Sequence, residues 1–198
     1  KNYNLREYGA VTLRKALQGS LNIPAVKVLY LVGVGRALDF AESLGYTTFG
    51  DRSRFGLSLV LGAGEVTPLE HARAYAAFAN DGVQFPTNAI LRVETSQKTE
   101  LFTWQKTAGT RVVDEQSVRL LNQVLSDNEA RGYIFGTNNR LTLPDRPVAA
   151  KTGTTNDYTD AWTVGYTPNL VTVVWVGNTS NKPMKRGADS SSTAAPIW

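Results

Sequence analysis

From Val148 onward the chain changes period. Val148 to Thr154, Ala161 to Gly165 and Leu170 to Gly177 are short runs rich in β-branched and aromatic residues, separated by turn residues. Tyr166-Thr167-Pro168-Asn169 joins the last two runs so tightly that they must pair antiparallel. Before Val148 most apolar residues recur at helical spacing. Helices first and a meander of strands last predicts an α+β fold, an antiparallel sheet with flanking helices, rather than alternating βαβ units. The expected helical part covers about 10–130 and the sheet part about 147–178, within one domain. A chain of 198 residues is long enough to bury a core of that size.

Punctuation residues divide the helical part. Thr12 is placed to cap a short helix from Leu13 to about Gly19, which Ser20-Leu21-Asn22 interrupts. Pro24 suits the first turn of a second helix over Ala25 to Val32, and Gly33 and Gly35 end it. A third helix is expected from Arg36 to Leu44, with Gly45 after its end. Residues 46–66 read as loop with short extended pieces. Thr67-Pro68-Leu69-Glu70 is a capping box with proline at the first helical position, opening a helix that stops before Gly82. Its alanines imply close packing on a neighbour. Thr87 to Val93 and Glu100 to Trp104 read as a hairpin, Asp114 caps a helix through about Leu125, and 127–147 reads as a long loop.

Composition narrows the chemistry. The chain has no cysteine, which excludes disulfides and thiolate metal sites, and no cofactor is expected. Its one histidine, His71, falls mid-helix and is expected to be structural. A net charge of +4 is too small to argue for nucleic acid, and Lys182, Lys185 and Arg186 read as a solvated loop. No apolar run is long enough to span a membrane, and Lys1 opens no signal peptide, so any export or anchoring signal is expected outside these residues. Gly62-Ala63-Gly64 lacks the Gly-Lys-Ser/Thr that a phosphate-binding loop requires.

Two short motifs carry candidate chemistry. In Lys151-Thr152-Gly153-Thr154-Thr155, alternation along a strand points Lys151 and Gly153 to one face and Thr152 and Thr154 to the other. Glycine lets a ligand approach the backbone, hydroxyls bond a carboxylate, lysine attracts an anion, and a backbone amide near Thr154 can serve as an oxyanion donor. Taken alone, the tripeptide fits an exposed strand and turn equally well. Ser20-Leu21-Asn22, alone, fits an ordinary helix connection.

Together, and in this order, the motifs resemble two of the three active-site motifs of penicillin-binding transpeptidases. Leu13 to Val26 is similar to the stretch around the second motif in class A, bifunctional members. Leu61 to Glu70 resembles the entry to the family's next long helix. Ala150 to Asn156, Asp160-Ala161-Trp162, Gly165 to Pro168, Val174 to Gly177 and Ala194 to Trp198 extend the likeness to the end.

The resemblance implies a peptidoglycan D,D-transpeptidase of the serine acyl-enzyme type, inhibited by β-lactams and working outside the cytoplasmic membrane. Ser20 would pass protons between nucleophile, lysines and leaving group, and Lys151 would tune that relay. Asn22 would hold the amide of the donor stem peptide or β-lactam. Thr152 and Thr154 would bind the terminal carboxylate of D-Ala-D-Ala, with Gly153 and Thr155 completing that wall. The Thr154 amide would supply half of the oxyanion hole.

The third motif, Ser-x-x-Lys, is absent: no serine in the chain is followed by lysine three positions on. Thr12, Thr95, Thr103 and Thr179 occupy that frame, Thr12 as a helix cap and the others in polar, loop-like sequence. The family places its nucleophile upstream of Ser20 on a central helix and adds a C-terminal helix. The domain is therefore expected to be incomplete at both ends, with the remaining part of the same domain as a partner and a glycosyltransferase domain further upstream. The rivals are a non-catalytic peptidoglycan- or β-lactam-binding module and a related D,D-carboxypeptidase or β-lactamase.

Overall fold

The computed structural model describes residues 1–198. Helices α1 (Leu13–Gln18), α2 (Asn22–Val32), α3 (Val34–Ser43), α4 (Pro68–Ala79), α5 (Glu115–Ser126) and α6 (Asn128–Phe135) precede the main sheet. Short strands β1 (Val83–Gln84), β2 (Arg92–Glu94), β3 (Glu100–Thr103) and β4 (Thr110–Arg111) lie between α4 and α5. The main sheet is β5 (Ala149–Thr154), β6 (Asp160–Thr167) and β7 (Leu170–Gly177), antiparallel throughout, in the order β5-β6-β7. The α+β reading and the antiparallel meander are therefore observed.

Local chemistry explains most boundaries. Thr12 accepts from the Lys15 N–H, Asp114 from the Ser117 N–H, and Thr67 and Glu70 form both halves of the capping box. The β2–β3 hairpin is shorter than expected, and β1 pairs with β4 across it.

Four expectations are corrected. Residues 52–54 and 57–61 form 3-10 turns, where extended pieces were expected. The region 127–147 is not all loop: Asp127 caps α6 by accepting from the Ala130 N–H. Helix α2 begins at Asn22, with Pro24 still inside the first turn, where its missing N–H leaves nothing unpaired. Gly35 lies within α3, and Gly33 alone makes the break, at φ 90°.

The sheet is covered on both faces, and this sets the two environments of β5. Ala149 packs with Leu125 and Tyr166 against Tyr75 and Phe78, the side of α4 and α5. Ala150 packs with Leu141, Ala195 and Trp198 on the opposite side. The Tyr166 hydroxyl donates to Asn122 Oδ1 at 2.6 Å, and Asn122 Nδ2 donates to the Phe78 carbonyl at 3.0 Å, tying β6, α5 and α4 together. Removing that hydroxyl leaves the asparagine oxygen unpaired. Tyr166→Phe is expected to lower stability by about 1 kcal/mol, read as a shift of the urea midpoint at constant m-value.

Candidate active site

Serine occupies a position that backbone sterics reserve for glycine. Helix α1 ends in a Schellman turn: the Leu21 N–H bonds the Ala16 carbonyl at 2.9 Å, and the Ser20 N–H bonds the Leu17 carbonyl at 3.1 Å. Ser20 is the left-handed residue of that turn, at φ 52°. Gly19, just before it, is needed for another reason. A Cβ there would overlap the Tyr133 hydroxyl, which donates to the Lys15 carbonyl at 2.5 Å. Gly19 itself keeps an ordinary φ of -82°, so the left-handed conformation falls on the serine, and strain of this kind gathers at functional positions.

The turn is carried to the sheet by α5. Gln18, buried, donates from Nε2 to the Val124 carbonyl at 3.2 Å, and Arg14 donates to Gln123 Oε1 at 2.7 Å. Helix α5 packs on β5. Ser20 thereby meets Lys151 across 131 residues of chain: Lys151 Nζ donates to Ser20 Oγ at 2.8 Å and to the Thr152 carbonyl at 2.5 Å.

Burial, with a smaller contribution from the Arg131 charge, brings the Lys151 pKa down to about 8. Arg131 is itself buried and donates to the carbonyls of Leu125 and Leu141, the latter at 3.3 Å. Burial pushes its pKa down as well, partly offset by Asp127.

The other expected residues lie along the same cleft. Ser20, Asn22, Lys151, Thr152, Gly153, Thr154 and Thr155 all line a cavity of about 920 Å³. Asn22, the first residue of α2, donates to the Lys1 carbonyl at 3.1 Å. Thr152 is buried, and Gly153 is exposed, opposite Trp162 in the register. A Cβ on Gly153 would make only ordinary contact with Trp162, so the chain's own packing does not demand glycine there. What glycine leaves open is the approach of a ligand to the strand.

Thr154 Oγ1 lies 3.0 Å from Ser190 Oγ and accepts from the Ser190 N–H at 3.1 Å. Thr155 belongs to the β5–β6 turn, where its Oγ1 accepts from the Asp160 N–H at 2.8 Å and donates to Asp160 Oδ2 at 3.2 Å. His71 is half-buried on α4, with Nδ1 2.7 Å from the Tyr46 hydroxyl, and burial lowers its pKa to about 4.

Arg131 and Ser190 escaped the sequence reading. Arg131 lay in what read as loop. Ser190 lay in the Ser190-Ser191-Ser192 tract, and only the two-faced pattern of β5 hinted that Thr152 and Thr154 needed a cover.

A sheet covered on both faces, whose edge strand presents a lysine to a serine with no acidic partner hydrogen-bonded to either, offers groups that can pass a proton and attract an anion. The chain belongs to the penicillin-binding protein transpeptidase domain family, whose model matches residues 1–198.

Penicillin-binding protein 1A of Neisseria flavescens is 34% identical over 202 residues, and that of Aquifex aeolicus 37% over 206. Both alignments cover 100% of this chain but 25% and 26% of the relatives, so the chain spans about a quarter of their length. Penicillin-binding protein 1A from Haemophilus influenzae superposes at a TM-score of 0.84 with 25% identity, over 100% of this chain and 35% of that one. PonA1 from Mycobacterium tuberculosis superposes at 0.82 with 26% identity, over 100% and 57%. PonA1 has also been solved in complex with penicillin V. No helix is long and apolar enough to cross a membrane.

Two measurements probe the pair. Ser20→Gly is expected to be more stable than Ser20→Ala by about 1 kcal/mol, the reverse of their order inside a helix, because both lack the hydroxyl and only alanine keeps the Cβ at positive φ. Burial holds the Lys151 pKa at about 8 in the folded chain, below the ordinary lysine value of 10.5. The unfolded chain therefore binds more protons between those values, and stability rises with pH across that window. Lys151→Met is expected to flatten this rise in urea midpoints taken from pH 7.5 to 10.

Proposed function

We propose that the chain forms the proton-relay and substrate-binding wall of a peptidoglycan D,D-transpeptidase whose serine nucleophile comes from outside these residues. The observation that carries the reading is the Lys151 Nζ to Ser20 Oγ contact on the edge of an open cleft. The nucleophile's oxygen bonds to the carbonyl carbon of the penultimate D-Ala, the peptide C–N bond breaks, and terminal D-Ala leaves with the proton. An amine of a neighbouring strand then takes the acyl group, and the serine recovers its hydrogen. Ser20 is the station through which the proton passes, since a hydroxyl can accept and donate in one step. Lys151 holds its lone pair and adds the positive charge that draws in a terminal carboxylate. Thr152 and Thr154 line that end of the cleft, the Thr154 amide faces the developing oxyanion, and Asn22 holds the substrate amide.

The cavity is lined by Leu17, Leu29, Phe49 and Leu59 as well as by the polar pair, which suits an apolar element bringing the serine. The penicillin V complex of PonA1 supports β-lactams as ligands of this domain, with this cleft as their proposed site. The working compartment is outside the cytoplasmic membrane, with the anchor carried by another segment of the protein, and the chain alone is inactive.

The test is acylation by a fluorescent penicillin, in the longer protein that carries this chain together with a Ser-x-x-Lys serine. Ser20→Ala and Lys151→Met are each expected to slow labelling by about 100-fold, as for loss of a general acid–base group. The isolated chain is expected to take no label. Covalent label on the isolated chain, or unchanged rates in the variants, would overturn the proposal. Reversible binding with no label on the longer protein would favour a non-catalytic binding module.

A further inference from the structure

Thr154 reaches the cleft from the opposite face of β5 to Lys151, and that face is closed by the segment after β7. Ala195 and Trp198 pack on Ala150, and the Ala195 N–H bonds the Ser190 carbonyl at 2.8 Å. Ser190 is thereby pinned and buried, 3% exposed, while Thr154 stays half-buried at the cavity wall. Thr154 Oγ1 has two acceptor sites and one proton. The Ser190 N–H takes one acceptor site at 3.1 Å, and Ser190 Oγ, at 3.0 Å, has no other hydrogen-bond partner among the chain's side chains and backbone.

If the Ser190 hydroxyl donates, both acceptor sites of Thr154 are filled and its proton has only the cleft to point to. A hydroxyl that accepts two hydrogen bonds is also polarised into a stronger donor. A ligand carboxylate, which only accepts, selects this arrangement, whereas an amide N–H aimed at the same oxygen finds no lone pair free.

We propose that Ser190 is a positioning residue that turns the Thr154 hydroxyl into a donor toward the cleft, and so makes the site select ligands ending in a free carboxylate. The proposal rests on the transpeptidase reading above and adds the residue that sets its selectivity. Ser190 touches no substrate and acts through Thr154.

The experiment uses the longer protein with its serine nucleophile. An N-acyl-D-Ala-D-Ala peptide and its C-terminal amide each compete against fluorescent penicillin, and each gives an inhibition constant. Ser190→Ala keeps the backbone N–H and loses only the hydroxyl. It is expected to weaken the acid by about 5- to 10-fold, as for one hydrogen bond to a charged group, and to leave the amide within about 2-fold, since the amide lacks that charge. Ser190→Thr, which keeps a hydroxyl, is expected to restore the acid's advantage.

Equal weakening of acid and amide would mean a packing role only, and no change in either would mean that Ser190 does not orient Thr154. Both results overturn the proposal. The acid-to-amide ratio is taken on one preparation, so partial loss of folded protein cancels. Failure of the unsubstituted longer protein to take label would sink the transpeptidase reading, and with it this proposal. Normal labelling with an unmoved ratio would sink the Ser190 role alone.

Discussion

The site depends on one covalent fact, that Ser20 stands two residues after the end of a helix whose last turn is fixed by a buried amide. Gln18 bonds the Val124 carbonyl, α5 packs on β5, and the turn after α1 places Ser20 Oγ 2.8 Å from Lys151 Nζ. The Tyr133 hydroxyl fills the space beside Gly19 and bonds the Lys15 carbonyl, bracing the turn just ahead of Ser20. Helix α6 thus supports that turn from behind, through a hydroxyl hydrogen-bonded to neither Ser20 nor Lys151. Strain at Ser20 persists because α1, α5 and α6 each constrain it independently.

Electrostatics follows from this packing. Lys151 donates to a hydroxyl and a carbonyl, and Arg131 donates to two carbonyls. Neither is paired with a carboxylate, although Asp127 lies close enough to favour the charge on Arg131. Lys151 thus lines the cleft as a desolvated ammonium with no bonded anion, and on the proposed reading a ligand carboxylate would supply one. The price is a lysine whose charged form is less stable folded than unfolded. Such shifts gather at functional sites.

What the sequence made legible is what is written in local chemistry. The capping box at Thr67 and Glu70, the caps at Thr12 and Asp114, and the alternation of β5 through β7 are short-range signals, and each reappears at or within a few residues of its expected place. Helix α6 was hidden because it has only eight residues, carries Gly132 inside it, and is followed by a run of Gly, Asn and Pro. The 3-10 turns in 46–66 were hidden because Phe49 packs against Phe55 and Tyr46, contacts that no periodicity announces. The β1–β4 pair is two residues long on each side, too short for alternation to register. For the site, the residue types of the two motifs were readable, but their contact was not. It requires Gln18, Val124 and the packing of α5 on β5, none of which is near either motif in sequence.

The two faces of β5 divide the chemistry. Lys151 and Gly153 lie toward α4 and α5, where Ser20 is delivered and the strand stays open to an approaching ligand. Thr152 and Thr154 lie toward the segment that ends at Trp198, where Ser190 is held. An edge strand is the one place in a sheet where both faces and the rim can serve a single ligand, because no further strand covers the outer side. On the proposed reading, proton handling on one face and anion recognition on the other can then be adjusted by residues that never meet. Changes in α6 act on the lysine and serine, and changes in the 190–198 segment act on the threonines. The strand's own sequence stays the same while the two properties vary.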